Sequence, residues 1–360
     1  MKIAFAFWGE LLKPEAAAGT ATTLFSAVGE RHLLVEEFKK RGHSLVLVQD
    51  RREAVPYPGV TYESVEVPEV DVAYFEWRWP MARNSGPNPV DTDWSRQTQL
   101  MNEYHKRGTP IIVFDTDMKI RPEDEFRWNR MIIGEPTVSH SHILRKRIRL
   151  NWVTDFVPYY DTPVSPIAYC YLGNNYERTD QFLKYYGACA VELRDRGIQT
   201  LVHGNWLERS SERESPEEIL RKFKCVDFGP RLSYRDGMRM MANSICTTNL
   251  AKKEYYEHGF VTSRIYESIL TGIPCLTPVE HKHLAPVGLG DWLIDSPNDV
   301  IGKVTYLKGM SQEARRDLVG RQLQELRKLG DFSPARKVDT ISGVADGRIT
   351  QGSIDAGKIE

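Results

Sequence analysis

The richest cluster of chemistry-bearing residues in the chain is HGFVTSRIYES, residues 258–268, followed directly by ILTGIPCLT. Arg264 and Glu267 stand three apart, so on a helix they share one face near its N-terminal end. A helix N-terminus and a guanidinium together suit a diphosphate. A carboxylate one turn on can accept both hydroxyls of a ribose. The same spacing also describes an ordinary Arg–Glu pair on a solvated helix, and the residue types alone leave both readings open. The run YLGNNYER, residues 171–178, adds a second cluster. There a strand ends, Gly173 allows close backbone approach to a ligand, and Arg178 opens the next helix. Strand–Gly–helix corners are frequent in α/β chains, so this one gains weight from its position.

A third cluster, VFDTDMK at 113–119, sets two acids at the end of an apolar run. One of the two could act as a general base that deprotonates a hydroxyl. The alternatives are a turn aspartate after a strand and a carboxylate pair that holds Mn²⁺ or Mg²⁺ on a diphosphate. Glu30 falls on the first helical stretch, where most glutamates are simply solvated. LRKRIRL, residues 144–150, carries Arg145, Lys146, Arg147 and Arg149. That pattern is either a bland basic face or a contact to a phosphate backbone. Trp77, Trp79, Trp94 and Trp128 offer stacking surfaces for bases or sugars, although core packing is the commoner use of such rings. The histidine pairs HSH (140–142) and HKH (281–283) lack partner acids or cysteines at ligand spacing, so no metal site is expected. GxSxG, P-loop and GxGxxG patterns are missing, which removes support for hydrolase, NTPase and dinucleotide readings.

These residues need elements to position them. Strand-length apolar runs at 2–8, 45–48, 72–77 and 110–114 alternate with amphipathic stretches at 23–41 and 94–106. A second series follows. Strands are predicted at 167–172, 200–203, 225–228, 244–248 and 274–276. Helices are predicted at 178–196, 216–223, 234–241, 261–270, 297–307 and 312–328. This rhythm implies parallel, doubly wound sheets, and ligands in such sheets bind at the carboxyl ends of strands. YYDTPVSP at 159–166 marks the join. The expected layout is an N-terminal Rossmann-like domain at 1–158, a second at 167–333, and a loose polar tail at 334–360.

The 360 residues are too many for one ordinary core and suit two domains. A formal net charge of −1 argues against coating nucleic acid by bulk charge, though a local basic groove is compatible with it. The five cysteines form no CxxC pair, which points to free thiols in a reducing compartment. The N-terminus lacks signal-peptide features and no window approaches 18 apolar residues, so a cytoplasmic protein without a membrane partner is the expectation.

The segment 259–277 resembles the donor-site signature of GT-B glycosyltransferases. More narrowly, the order of features resembles the phage DNA β-glucosyltransferases, which glucosylate 5-hydroxymethylcytosine in duplex DNA. The likeness runs through the opening MKIA strand, Glu30 before RGHSLVLV, the pair Thr116-Asp117, LGNNYER and GFVTSRIYES. It implies an α/β GT-B fold, two doubly wound Rossmann-like domains facing across a cleft, and a UDP-type sugar donor with Mg²⁺ optional. It also implies Asp117 as catalytic base, with Glu30 in the catalytic set. Gly173, Arg178 and Arg264 would hold the diphosphate and Glu267 the ribose. The implied partner is double-stranded DNA with a hydroxymethylated pyrimidine, flipped out of the stack and gripped through Arg145, Lys146, Arg147 and Arg149. The family loop carries two arginines; here Arg178 is one and Tyr176 lies near the place of the other. A GT-B enzyme acting on a small molecule, polysaccharide or protein is the alternative, and a non-catalytic nucleotide- or DNA-binding module a further one.

Overall fold

The structure is a computed structural model that describes residues 1–7, 26–48, 58–77, 92–137, 146–156, 160–175, 177–207, 218 and 221–358. The chain divides into two compact units. The first holds Met1–Ala21, Ala27–Asp155 and Asp331–Glu360; the second holds Thr22–Ser26 and Phe156–Gly330.

In the first unit the strands are β1 (Lys2–Ala6), β2 (Ser44–Leu47), β3 (Thr61–Tyr62), β4 (Val72–Trp77), β5 (Ile111–Asp115), β6 (Ile132–Glu135) and β7 (Ile148–Arg149). They form one sheet in the order β3-β2-β1-β4-β5-β6-β7, and every pairing is parallel. VAYFEW in β4 is buried along its whole length. A run without polar alternation is what a parallel strand covered on both faces requires. Helices Ser26–Lys40 and Thr92–Arg107 supply such cover. Trp77 and Trp128 meet edge to face at 5.8 Å in this core, so neither is a stacking platform for a ligand.

The second unit repeats the design with β8 (Ala168–Leu172), β9 (Gln199–His203), β10 (Val226–Gly229), β11 (Cys246–Thr248), β12 (Cys275–Pro278) and β13 (Leu293–Ile294). Their order is β10-β9-β8-β11-β12-β13, again parallel throughout. In each sheet the winding reverses beside its first strand, between β1 and β4 and between β8 and β11. Connections leave there in opposite directions, which opens a crevice at the carboxyl edge.

Three expectations need correction. The helix expected at 178–196 is broken into Thr179–Phe182, a π-helical turn Leu183–Gly187, and Ala190–Asp195. The wider turn lets the consecutive Tyr185 and Tyr186 both be buried. Tyr186 stacks on Tyr169 at 4.2 Å and donates to the Cys170 carbonyl. LRKRIRL, expected as a basic face or a phosphate contact, ends in an edge strand that turns part of it inward. Ile148 and Leu150 point inward from it, and β7 pairs with β6. The residues expected as a loose tail form helices Pro334–Ala345 and Gln351–Asp355 and belong to the first unit. Ser333 caps the first of these through the Arg336 N–H, Pro334 fits its first turn, and Val338, Ile341 and Val344 are buried. The apolar spacing outweighs the glycine-rich composition that suggested disorder. Among the described residues no helix is long and apolar enough to cross a membrane.

Candidate active site

In the second unit the segment after β8 sits at the switch point and is tied to both neighbouring loops. Asn175 N–H donates to Asn205 Oδ1 and Asn205 N–H to Asn174 Oδ1, both at 3.1 Å, which joins it to the loop after β9. Gly204 there has φ +155, and a Cβ on it would lie 2.1 Å from the Gly173 carbonyl oxygen, so only glycine fits. On the other side Ala251 N–H donates to Gln181 Oε1 at 3.0 Å, and Lys252 pairs with Glu177 at 3.3 Å. The loop after β11 is thereby fixed beside the 173–178 segment. That loop enters the short helix Lys253–Glu257, and helix Ser263–Leu270 follows before β12, so its N-terminus lies on the same carboxyl-edge side of the sheet.

Arg264 is in the first turn of this helix, with its Nη1 3.3 Å from Glu267 Oε2. The arginine is partly exposed and the glutamate buried. Thr262 makes no side-chain cap for the helix. Arg178 is half-buried at the mouth of the following turn, and its Nη1 donates to the Asn174 carbonyl at 2.9 Å. Gly173 departs from expectation in one respect. Its N–H already donates to the His203 carbonyl, and its own carbonyl accepts from Trp206 Nε1. Gly173 shapes the corner; its amide is not spare for a phosphate. Tyr176 lies outside the described residues.

HKH at 281–283 forms a loop and a short 3-10 turn after β12. His281 is buried against Gln181, 3.2 Å from its amide nitrogen, and His283 Nε2 donates to the Phe260 carbonyl. Burial pushes His281 down to about 3 and His283 to about 4, so both are neutral. Among the described residues no group of His, Cys, Asp and Glu suits a metal ion. On the donor side, the Glu267 carboxylate faces a guanidinium and no second acid from the predicted donor set joins it. These residues do not fit a divalent ion held by the protein.

In the first unit the two acids of VFDTDMK separate. Asp115 ends β5 and is wholly buried, with its carboxylate accepting from Lys119 N–H at 2.7 Å and Ile120 N–H at 2.9 Å. Asp117 follows on the turn beyond the carboxyl end of β5 and is half-buried. Glu30 is buried rather than solvated. Lys337, from helix Pro334–Ala345, donates to its Oε1 and to the Asn151 carbonyl, while Oε2 has no hydrogen-bond partner among the described residues. Burial raises Glu30 to about 7, against the pull of Lys337. The neighbouring Arg31 grips Glu76 of β4 with contacts of 2.6 to 3.1 Å. Sequence reasoning missed Lys337 and Glu76 altogether. A lysine at an apolar position of VDTIS-type periodicity was the only signal for the first, and a glutamate inside a six-residue apolar strand for the second.

The basic cluster does not form one face. Arg145 lies outside the described residues. Lys146 is exposed and donates to the Asp355 carbonyl. Arg149 is half-buried. Arg147 turns inward onto Glu125 at 2.8 Å, Glu135 at 2.7 Å and Asp115 at 3.5 Å. Its guanidinium is committed to carboxylates, so the phosphate contact expected of it is corrected. Trp79 also lies outside the described residues, as does the side chain of Trp94.

No family model matches the sequence, and a search of curated proteins finds no significant match. Solved structures do match. T4 phage β-glucosyltransferase aligns over 99% of this chain and 100% of its own, with a TM-score of 0.61 at 14% identity. A glycosyltransferase of avilamycin A biosynthesis aligns over 96% and 98%, with a TM-score of 0.52 at 11% identity. The fold is GT-B. An O-GlcNAc transferase from Thermobaculum terrenum extends the same likeness, covering 99% of this chain and 69% of its own at a TM-score of 0.54 and 10% identity. The GT-B fold accounts for the paired parallel sheets, each with its own switch point. Structures of the T4 enzyme have been solved with UDP-glucose and with UDP and Mn²⁺.

Proposed function

We propose that the chain transfers a sugar from a UDP-sugar to an acceptor hydroxyl. The observation that carries this reading is the fixed placement of the segment after β8 beside the loop after β11, at the switch point of the second unit and on the edge where the Arg264–Glu267 helix begins. A diphosphate there meets a helix N-terminus and two arginines, Arg178 and Arg264. On binding, Arg264 exchanges Glu267 for phosphate oxygens, and the uncovered carboxylate accepts the ribose hydroxyls. Asp117 takes the proton of the acceptor hydroxyl as its oxygen attacks the anomeric carbon. The bond to the diphosphate breaks, the arginines stabilise the departing charge, and a single displacement inverts the anomeric carbon. Glu30 acts in the catalytic set from the first unit.

The proposed acceptor is a hydroxymethylated pyrimidine in duplex DNA, flipped out of the stack. Its support is the end-to-end correspondence with the T4 phage enzyme, described as DNA-modifying. The inward turn of Arg147 favours a second reading, in which the acceptor is a small molecule, polysaccharide or protein.

Incubation with a panel of UDP-sugars and DNA bearing 5-hydroxymethylcytosine or 5-hydroxymethyluracil, followed by nucleoside mass analysis, tests the proposal. A hexose or pentose mass increment supports it; donor hydrolysis with no DNA product moves the case to the second reading. With neither hydrolysis nor transfer, the enzymatic reading is wrong. Asp117→Asn is expected to lower kcat by roughly 10²- to 10⁴-fold while calorimetric UDP-sugar binding persists. Unchanged turnover in that variant removes Asp117 as the base.

A further inference from the structure

We propose that Asp115 and Arg147 are positioning residues that hold the turn carrying Asp117 in its working conformation. The inference rests on the assignment of Asp117 above. The turn is fastened at both ends by neighbours of Asp117. Before it, the N–H and hydroxyl of Thr116 both donate to the Trp77 carbonyl, at 3.1 and 2.9 Å. After it, the Asp115 carboxylate receives the Lys119 and Ile120 amides at 2.7 and 2.9 Å. Between these clasps Met118 has φ +55, a left-handed conformation that a non-glycine residue keeps only when its surroundings impose it.

Arg147 holds the carboxylate that makes the second clasp. Its Nη1 lies 3.5 Å from Asp115 Oδ2 and 2.7 Å from Glu135 Oε2, and its Nη2 lies 2.8 Å from Glu125 Oε1. The guanidinium thus bridges the end of β5, the end of β6 and helix Pro122–Arg127. A planar fork can serve three acceptors at once, whereas an ammonium is a point charge on a flexible stem. Arg147 and Glu135 are the charged groups that act on Asp115 from these elements, and Glu125 meets the same guanidinium.

Burial raises Asp115 to about 6, opposed by Arg147 and by the two amides, with Glu135 adding to the rise. Below that pH the carboxyl takes up a proton. One oxygen becomes a donor where amides need an acceptor, and the attraction to Arg147 is lost. The clasp is therefore closed above about pH 6 and slackens below it.

Backbone amide NMR on the full chain, from about pH 5 to about pH 8, reads the clasp without reference to activity. The Lys119 and Ile120 amides are expected to titrate with a midpoint near pH 6. Arg147→Met should move that midpoint upward, and Asp115→Asn should abolish it. In transfer assays both variants should lower kcat by roughly 10²-fold, the cost of a misplaced catalytic group. The KM for the donor should stay unchanged, because the donor residues belong to the other unit. The acidic limb of kcat should follow the amide midpoint in the wild type and in Arg147→Met. Amides that do not titrate in this range, or variants with wild-type kcat across it, overturn the proposal. Should Arg147→Met fail to fold, Asp115→Asn decides alone. If the wild type transfers no sugar the reading of function falls, yet the amide titration still accepts or rejects the clasp.

Discussion

At the scale of single residues, the VFDTDMK run shows why type and spacing go only part of the way. Both aspartates follow an apolar strand, and either could be a base by that criterion. The strand gives them different surroundings. Its last residue still faces the interior, so Asp115 is buried and spends its oxygens on backbone amides, while Asp117 lies past the strand end. Arg264 and Glu267 were legible because a helix dictates the i,i+3 meeting whatever surrounds it, and the pair is present at 3.3 Å. Arg147 was misread because a charge count carries no direction. Losing Arg264 removes a charge-assisted contact of about 1.5–3 kcal/mol. Arg264→Ala should therefore weaken UDP-sugar binding by roughly 10- to 100-fold, measured by calorimetry on the isolated protein. Equal donor affinity in that variant would mean that the diphosphate is held elsewhere.

At the scale of elements, helix Pro334–Ala345 was the main omission, and the reason is physical. Its glycine and its polar residues lower helix propensity, but Val338, Ile341 and Val344 gain burial on the first unit, and tertiary packing outweighs propensity. The helix also delivers Lys337 to Glu30. Truncating that lysine leaves a buried carboxylate without its cation, a change that typically costs about 3–5 kcal/mol. Lys337→Met should lower the urea midpoint accordingly, and adding Glu30→Gln should recover most of the loss. The pH dependence has a definite sign. Glu30 has its folded value near 7, above its ordinary 4.5. Between those values the folded chain keeps a proton that the unfolded chain has released. Its contribution to stability is thus greatest below pH 4.5 and is lost as pH rises through 7. Without Lys337 the folded value climbs further and the decline extends to higher pH. Parallel stability–pH curves for wild type and Lys337→Met would show that the two side chains are not coupled.

At the scale of the molecule, the alternation of apolar strands and amphipathic helices was enough to predict two doubly wound units, because each βαβ step is a local pattern. Two-residue strands such as β3, β7 and β13 carry too little pattern to be seen, and they lie at or near sheet edges where pairing, not periodicity, defines them. The acceptor is a property of the whole surface, so neither motif nor fold specifies it, and charge distribution must decide. If duplex DNA is the partner, phosphate contacts come from cations that face solvent. Lys146 meets that condition and Arg147 does not. Each phosphate contact adds about 0.9 to the slope of log K against log salt concentration. Lys146→Ala should therefore reduce the measured slope by about that amount, while Arg147→Met should leave it unchanged, with anisotropy of labelled hydroxymethylated duplex as the readout. If both substitutions flatten the slope equally, Arg147 leaves its carboxylates to meet DNA. If the protein shows no salt-dependent affinity at all, the acceptor is not a nucleic acid, and the GT-B framework serves a hydroxyl on a smaller or uncharged molecule.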